Sequence, residues 1–494
     1  MKKFIEYSKK IGKDFMLCQG PGGNTSFKQN DSIFIKKSGL QLANANFDTF
    51  KKIKFTEINN FYSNSKINEE KFDKDLSIET PLHVFLEQKY VFHYHSIAAI
   101  ICSIIYKKNY LNKFKSQYEN VHVSYSSKAF SNPILSQILN EENLGIDVVS
   151  GGELEILIRS KFPMNEVNFH GNNKSNDELI KAVQNNIGLI TIDSFYELDL
   201  LNDICKDLSK NQDITLRLSP SVDPKTHELT STGILDTKFG FSIETGAAKE
   251  AIKKAIKKGN LNLKGIHFHL GSPIFELSPY EQAIDYVFKF VKENYPDYKN
   301  IEIFNVGGGF AVPYSINDPI VKIEDYASTI CRKLKENIEK YSVNDVKLII
   351  EPGRAIVARS GVAIYTIGGI KEIPNLRKYV SVDGGMADNI RPALYGSKYS
   401  LFSVNKADLS HNEIVTIAGK YCETGDKLVE NVSLPMPESN DLIAIPVSGA
   451  YNFSMSSNYN VSLRPAIILI KSNGDLDILR RRETYDDILK LSGI

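Results

Sequence analysis

The sequence contains little cysteine, and its cysteines form no pattern that would link them covalently or bind a structural metal. Its five cysteines are scattered, with no CxxC pair, at positions Cys18, Cys102, Cys205, Cys331 and Cys422. A disulfide framework or a structural zinc site is therefore not expected, and this cysteine usage favours a reducing cytoplasm.

The sequence also lacks excess charge and long apolar runs. Its 494 residues carry a net charge of +1, so we expect neither nucleic acid nor a membrane as a partner. The most apolar run, "IAAIICSIIY" at 97–106, is far shorter than the ~18 residues of a membrane span. Charged and apolar residues alternate from Met1 to Lys13, so we expect no secretory signal there and a cytoplasmic location.

Two kinds of segment alternate from Val121 to Gly353. Short apolar runs lie between helix-like stretches rich in Lys and Glu, such as "NDELIKAVQNN" at 176–186. The eight apolar runs are VHVSYSS (121–127), IDVVS (146–150), VNFHG (167–171), LITIDS (189–194), TLRLS (215–219), GIHFHLG (265–271), IEIFNVGGG (301–309) and KLIIEPG (347–353). Eight such units predict a (β/α)8 barrel. An open doubly wound sheet is less favoured, because nearly every run ends in polar or glycine residues, as a barrel mouth requires.

The pattern changes after Val362. Apolar runs are now separated by turn residues with no helical period between them, which predicts a C-terminal β-sheet or β-barrel domain. These runs are VAIYTIGGI, YVSVDGG, EIVTIAG, DLIAIPVSGAY and PAIILIKSNGDLDILRRR.

The ends of the eight predicted barrel strands carry reactive side chains. Barrel enzymes collect their chemistry at the C-terminal ends of the strands. Residues that fall at or near those ends are Lys128, Asp193, Arg217, His269, the glycines 307–309 and Glu351. Singly, each has a plain explanation, such as a turn glycine or a solvated lysine. Together at one mouth they indicate a site.

One ligand accounts for this set of groups. Consecutive glycines let backbone N–H groups approach an anion closely, as in phosphate sites. A desolvated lysine such as Lys128 can form an imine with an aldehyde. A carboxylate such as Glu351 can keep a pyridine nitrogen protonated, and His269 can stack on a flat ring. Phosphate, aldehyde, pyridine nitrogen and ring face together describe pyridoxal phosphate.

From about Ile104 to the C-terminus, the sequence resembles the diaminopimelate decarboxylases of the alanine racemase-like pyridoxal-phosphate enzymes. The resemblance covers roughly four-fifths of the chain. The stretches that carry it, in the family's order, are YSSKAFSNP, GIDVVSGGEL, GNNKSNDEL, TGILDTKFGF, GIHFHLGS, NVGGGF, EPGRAIVA, VDGGMADNIRPALYG, CETGD and SGAYNFSMSSNYN.

The resemblance implies cofactor roles for one group of residues. Lys128 is expected to bond covalently to the cofactor, His269 to stack on its ring and Glu351 to contact its pyridine nitrogen. The residues expected around the phosphate are Gly307, Gly308, Gly309, Gly353, Arg354 and Tyr451.

It implies substrate roles for a second group. The side chains expected to bind the substrate, chiefly its far carboxylate, are Arg354, Arg391, Tyr395 and Tyr451. Glu423 is expected to recognise the far amino group and Cys422 to donate a proton. In the family the CETGD loop comes from the partner subunit, so a homodimer with shared active sites is implied. The expected activity is decarboxylation of meso-2,6-diaminopimelate to L-lysine and CO2, since a two-arginine grip suits a substrate with a second carboxylate.

Three alternatives remain open. The first is a related decarboxylase for another amino acid, including a carrier-bound one. The second is a metal-dependent aldolase for which the C-terminal part is only a scaffold. The third is a catalytically silent fusion that only dimerises or binds a ligand.

The first hundred residues resemble a different family, the class II aldolase/adducin-like proteins. The segments that carry this resemblance are QGPGGNTSFK (19–28), IFIKKSG (33–39), SIETPLH (77–83) and FHYHS (92–96). It implies a possible divalent metal, zinc, held by His93, His95 and Glu79, because His-x-His on a strand places both side chains on one face. The resemblance stops soon after His95, so a truncated domain is expected.

The predicted architecture therefore has three parts. A small α+β aldolase-like segment spans 1–100, the cofactor-binding barrel spans 101–360 and the C-terminal β domain spans 361–494. The segment "AIICSIIYKKNYLNKFKSQY" at 99–118 is expected to supply the strand that normally joins the C-terminal sheet in this family.

Overall fold

A computed structural model describes most of the barrel and C-terminal regions and part of the N-terminal region. The described residues are 2–13, 24–37, 40–55, 90–93, 109–223, 236–315, 317–407, 409–471 and 475–492. Among them, no helix has both the length and the apolar character that crossing a membrane requires.

The N-terminal region pairs one helix with a small antiparallel sheet. The elements are α1 (Lys2–Lys13), β1 (Asn24–Gln29), β2 (Ser32–Lys36), β3 (Phe50–Lys54) and β4 (Tyr90–His93), and the strand order is β3-β2-β1-β4. Phe4 packs against Phe27 and Phe50, with ring centroids 5.9 and 5.1 Å apart. These aromatic contacts form a small core of their own.

Eight parallel strands form the closed barrel. They are β5 (Val121–Ser126), β6 (Gly145–Val148), β7 (Val167–Phe169), β8 (Leu189–Ile192), β9 (Gln212–Ser219), β11 (Leu261–His267), β12 (Ile303–Asn305) and β13 (Lys347–Ile350). A short strand, β10 (Phe241–Ser242), pairs with β9 outside the ring. Pairing of β8 with β9 and of β13 with β5 closes the sheet on itself, which an open doubly wound sheet does not do. The eight predicted strands and the barrel are therefore confirmed.

Helices surround the barrel. The longer helices are α2 (Asn109–Lys115), α3 (Pro133–Glu141), α4 (Gly151–Arg159), α5 (Asn176–Gln184), α6 (Phe195–Asp207), α7 (Ala247–Ile256), α8 (Ser278–Asn294) and α9 (Ile323–Tyr341). Side chains of Asn132, Ser150, Ser175 and Ser194 cap the N-termini of α3 to α6, which explains why these helices begin directly after polar loop residues. Because helices cover them, the strands are buried and read as short apolar runs.

The C-terminal region is mostly antiparallel sheet. Six of its strands form one sheet in the order β16-β19-β14-β15-β17-β18. Strands β20 and β21 form a separate two-stranded antiparallel sheet. The strands are β14 (Val362–Ile373), β15 (Arg377–Val382), β16 (Phe402–Ser403), β17 (Glu413–Ala418), β18 (Lys427–Leu434), β19 (Leu442–Pro446), β20 (Ile467–Ile470) and β21 (Leu476–Arg480). Three short α-helices are also present, α10 (Arg354–Val357), α11 (Arg391–Tyr395) and α12 (Tyr485–Leu489). The predicted C-terminal β domain is thus confirmed as a fold.

The segment 99–118, which is expected to supply the strand that joins the C-terminal sheet, is described only in part. Its residues Asn109–Lys115 are helical, and a strand within 99–108 stays a prediction. Phe114 is fully buried and its ring lies 6.0 Å from that of Phe310, so this helix covers the barrel. Residues 99–108, including most of the apolar run 97–106, lie outside the described residues.

Candidate active site

A cavity of about 820 Å³ opens at the C-terminal ends of the barrel strands. Ten of the residues predicted from the sequence line it: Lys128, His269, Gly308, Gly309, Glu351, Gly353, Arg354, Arg391, Tyr395 and Tyr451. They come from positions more than 300 residues apart in the chain, and the fold brings them to one mouth. Gly307 lies next to the lining glycines in the same turn.

Lys128 stands on a short turn that follows β5. Its neighbours Ser127 and Ala129 are buried, whereas Lys128 itself is exposed to the cavity. The backbone N–H of Tyr451 and the hydroxyl of Ser454 both donate to the carbonyl of Ala129, at 2.8 and 3.1 Å. The turn is therefore fixed from two sides, and the lysine amine is left as the group that projects into the cavity.

Glu351 lies at the floor of the cavity between two histidines. Its Oε1 is 2.9 Å from His170 Nε2 and accepts a 2.5 Å hydrogen bond from the Asn305 amide. Its Oε2 is 3.3 Å from His267 Nε2. Burial disfavours the charged form, but the two histidines outweigh it and hold the pKa of Glu351 well below its usual value. The carboxylate is therefore ionised at neutral pH.

For the neighbouring groups on the floor, Asp147 and His267, burial favours the neutral form. Burial, and then the charge of Glu351, raises the pKa of Asp147 well above its usual value, although the hydroxyls of Ser124 and Ser126 donate to it. Burial lowers the pKa of His267 to about 4. At neutral pH the floor therefore combines the ionised Glu351 and the neutral His267 with an aspartate whose protonated form is favoured by burial.

Three glycines after β12 form the wall beside Glu351. Gly307 and Gly309 have φ of +69° and +112°, in the region that favours glycine. A Cβ at Gly308 would lie 2.2 Å from the Glu351 carbonyl oxygen. A Cβ at any of the three would lie within 3 Å of neighbouring protein atoms, so the close packing of this wall requires glycine.

His269 packs next to this wall. Its Nδ1 accepts a 3.2 Å hydrogen bond from the backbone N–H of Gly308. Burial first, and then the charges of Lys128 and Arg217, hold the pKa of His269 well below its usual value. The ring is thus neutral and faces the cavity.

Two buried arginines form the far side of the cavity. Arg354 donates to the hydroxyl of Tyr314 at 2.7 Å, and Arg391 donates to the hydroxyl of Tyr399 at 2.7 Å. Arg354 also donates hydrogen bonds to the Ser272 hydroxyl, at 3.2 and 3.3 Å. In the part of the chain that is described, neither guanidinium forms an ion pair with a carboxylate. Two buried cations without a carboxylate partner make this side of the cavity a site for an anion.

Arg217 and Asp193, which the sequence also placed near strand ends, meet at the cavity edge. The Arg217 guanidinium lies 3.6 Å from the Asp193 carboxylate and stacks over the ring of Phe239, at 4.3 Å from its centroid. Asp193 also accepts a 2.7 Å hydrogen bond from the N–H of Gly240. The pair therefore holds the turn that carries Phe239 against the cavity.

Sequence reasoning missed several residues of the cavity floor. Asp147, Asn305 and His267 lie within strands, and His170 directly follows one. A polar residue inside an otherwise apolar strand is a signal that could have found them, because strands alternate their side chains and buried polar groups need a partner.

Comparisons with known proteins agree with this geometry. Residues 105–358 match the pyridoxal binding domain of the pyridoxal-dependent decarboxylases, which is just over half of the chain. The sequence is 41% identical to the diaminopimelate decarboxylase of Bacillus subtilis over 385 residues, which cover 78% of this chain and 88% of that protein. The chain belongs to the diaminopimelate decarboxylase family.

Solved structures of the family have the same fold. The diaminopimelate decarboxylase of M. jannaschii in complex with L-lysine superposes with a TM-score of 0.72 at 34% identity, covering 79% of this chain and 89% of that one. The Helicobacter pylori enzyme complexed with L-lysine gives a TM-score of 0.71 at 31% identity, covering 80% and 95%. The barrel and the curled C-terminal sheet are therefore those of a family of pyridoxal-phosphate-dependent carboxy-lyases.

The residues of the cavity fit pyridoxal phosphate. The glycine wall, which carries no side chains, suits a phosphate group. The ionised Glu351 suits a protonated pyridine nitrogen, and the neutral His269 suits a ring face. Nitrogen and carboxylate atoms of His170, His267 and Glu351 also lie within 4.8 Å of one another, a spacing that a metal ion could use. The two histidines contact the Glu351 carboxylate directly, at 2.9 and 3.3 Å.

Two predicted residues lie away from this cavity. Cys422 is exposed, and its N–H donates to the Asn460 side chain at 3.3 Å. Glu423 accepts a 2.5 Å hydrogen bond from the Tyr459 hydroxyl. Neither belongs to the described lining of the cavity of its own chain. Their role in catalysis stays a prediction that requires a second subunit.

Residues 2–141 match the Class II Aldolase and Adducin N-terminal domain. This match runs past His95, where the sequence resemblance was expected to stop, and overlaps the first strand and helix of the barrel. Of the predicted metal ligands, Glu79 and His95 lie outside the described residues, and only the backbone of His93 is described, in β4.

Proposed function

We propose that this chain removes the carboxylate from the D-centre of meso-2,6-diaminopimelate, with pyridoxal phosphate as cofactor, and releases L-lysine and CO2. One observation carries the proposal. A single cavity joins the Lys128 amine and the ionised Glu351 to two buried guanidinium groups that lack a carboxylate partner among the described residues. The first two groups suit the cofactor. The guanidinium groups suit a substrate that keeps a second carboxylate after the first has left.

The chain's own groups hold and tune the cofactor. When bound, pyridoxal phosphate delocalises the electron pair that remains on carbon after CO2 has left. Lys128 supplies the amine that bonds to it, and His269 covers one ring face. Glu351 stays anionic and so keeps a proton on the pyridine nitrogen. The glycine turn 307–309, with Gly353, Arg354 and Tyr451, would surround the phosphate.

The far end of the substrate determines specificity. Arg391 and Arg354 bind the far carboxylate, because a guanidinium can donate two parallel hydrogen bonds to it. Tyr395 and Tyr451 also line the cavity, and the Tyr451 ring lies 4.7 Å from the Arg354 guanidinium. An ornithine or a lysine substrate has no second carboxylate, so it would leave a buried cation unpaired. Two solved relatives are complexed with L-lysine, the product that retains this carboxylate.

The assay of CO2 release from meso-diaminopimelate tests the proposal. Wild-type protein with added pyridoxal phosphate should release CO2, whereas Lys128→Ala should be inactive and Lys115→Ala, a change at an exposed lysine, should not differ from wild type. Borohydride treatment should attach the cofactor to residue 128, which peptide mass spectrometry detects. Equal behaviour of wild type and Lys128→Ala would contradict the assignment. Release of CO2 only from amino acids without a far carboxylate would favour the related decarboxylase instead.

The exposed Cys422 and Glu423 support a homodimer with shared active sites. In this proposal the Cys422 thiol of one subunit donates a proton to the substrate carbon in the partner's cavity, and Glu423 binds the far ammonium. Lys128→Ala and Cys422→Ala should each be inactive as pure proteins. Refolded together in equal amounts, they should regain about a quarter of wild-type activity, because half of random dimers are hybrids with one complete site. A mixture that stays inactive would argue against sharing.

The N-terminal part, whose residues 2–141 match the aldolase and adducin domain, carries a separate proposal. Zinc bound by His93, His95 and Glu79 is a prediction from the resemblance. Metal analysis of purified protein, with His93→Ala as a control, tests it. A chelator should leave the decarboxylase activity unchanged, because no step of that reaction uses this metal.

The three-part division into 1–100, 101–360 and 361–494, and the cytoplasmic location, are also proposals. The change from α+β to barrel to antiparallel sheet along the chain supports the division. Limited proteolysis should cut near these boundaries. Fractionation of producing cells should recover the protein with cytoplasmic enzymes.

A further inference from the structure

Two buried tyrosines lie directly against the two arginines of the cavity. Tyr314 follows β12, and Tyr399 follows α11. The Tyr314 hydroxyl accepts from Arg354 and the Tyr399 hydroxyl accepts from Arg391, both at 2.7 Å. Their rings meet edge to face, with centroids 5.1 Å apart.

Each guanidinium is also held by ring faces. The Arg391 guanidinium lies 4.5 Å from the centroid of the Tyr314 ring and 5.8 Å from that of Tyr399. The Arg354 guanidinium lies 5.6 Å from the centroid of Tyr314 and 4.7 Å from that of Tyr451. Tyr314 therefore contacts both arginines, one through its hydroxyl and one through its ring.

We propose that Tyr399 is a positioning residue for the far carboxylate of the substrate, and that Tyr314, which itself lines the cavity, orients Arg354 in the same way. This inference rests on the proposed function. Tyr399 does not belong to the described lining of the cavity, so it acts through Arg391 and not by touching the substrate. Its hydroxyl takes one N–H of Arg391 and leaves the other N–H groups of the guanidinium for a ligand.

The chemistry of the acceptor explains why a tyrosine serves this purpose. An aspartate or glutamate in its place would neutralise the guanidinium and compete with the substrate carboxylate. Burial raises the pKa of Tyr399 to about 12, so the phenol stays neutral at physiological pH. A neutral acceptor orients the cation and preserves its charge. The hydroxyl is fixed in turn by the Asn452 side chain, whose Oδ1 lies 3.4 Å away.

The test compares a ligand that retains the far carboxylate with one that lacks it. L-lysine, the expected product, retains the far carboxylate. D-lysine keeps the D-centre of the substrate and has no carboxylate at the far end. Holoenzyme carrying Tyr399→Phe should show an about tenfold higher KM for meso-diaminopimelate with kcat within about twofold, because the hydrogen bond that orients a charged group is lost. By calorimetry its Kd for L-lysine should rise by the same factor, and its Kd for D-lysine should stay unchanged.

Tyr295→Phe is the matched control, because the Tyr295 hydroxyl donates to the Leu263 carbonyl at 2.8 Å outside the cavity, and this variant should behave as wild type. If Tyr399→Phe does not fold, Tyr314→Phe should give the same ligand-dependent pattern. Equal weakening of L-lysine and D-lysine, or no change for either, would overturn the inference. Failure of the wild-type protein to turn over meso-diaminopimelate would instead refute the proposed function.

Discussion

The pH dependence of stability should report the buried neutral state of His267. The side chain is 1% exposed and neither ring nitrogen has a well-aligned hydrogen bond, although Nε2 lies 3.3 Å from Glu351. Burial lowers its pKa from the ordinary 6.5 to about 4. Between these two values the unfolded chain binds a proton that the folded chain does not. The free energy of unfolding therefore falls as the pH decreases from about 6.5 to about 4.

The magnitude follows from the two pKa values. A difference of this size corresponds to about 3 kcal/mol once the pH has fallen below both values. Integrated only from about pH 7.5 down to about pH 5, the loss due to His267 is about 2 kcal/mol. Glu351 does not obscure this window, because its lowered pKa places its titration below it.

Urea unfolding of cofactor-free protein measures the effect. The chain has no tryptophan, so far-UV circular dichroism is the suitable signal. Wild-type protein, His267→Asn and the control His411→Asn, a change at an exposed histidine, should each be unfolded at both pH values. His267→Asn should lose about 2 kcal/mol less than wild type on acidification, and His411→Asn should match wild type. If His267→Asn and wild type lose the same amount, His267 is not held neutral by burial.

Three further outcomes are expected. Gly308→Ala should raise the Kd for pyridoxal phosphate at least tenfold in a fluorescence titration, because the alanine Cβ would lie 2.2 Å from the Glu351 carbonyl oxygen. Unchanged affinity would argue against close packing at this wall. Glu197→Gln should lower the free energy of unfolding by about 3 kcal/mol, measured in urea, because it leaves the buried Lys174 ammonium without its 2.5 Å carboxylate partner. Arg391→Gln should raise the KM for meso-diaminopimelate about 100-fold in a steady-state CO2 assay, because a charge-assisted pair with the far carboxylate is lost. A KM within twofold of wild type would contradict the role of Arg391 at that carboxylate.

Much of the fold could be predicted from local sequence patterns. All eight barrel strands coincide with apolar runs, because strands buried under helices expose almost no polar side chain. In the C-terminal region, β16 and β18 were not predicted, because one has two residues and the other, "KLVENVSL", has a polar centre. The helix Asn109–Lys115 was not predicted, since a short apolar segment does not distinguish a helix from a strand without its packing partner.

The sequence by itself determined the order of the strands and which residues stand at their ends. Lys128, His269 and Glu351 could be located in this way, because side chains that end parallel strands share one mouth of a barrel. Only the tertiary structure decided which distant groups meet there. Arg391 and Tyr399 come from the region after the barrel, and no periodicity relates them to Arg354 and Tyr314. The charge state of Glu351 was decided in the same way, because it depends on burial and on histidines from two other strands.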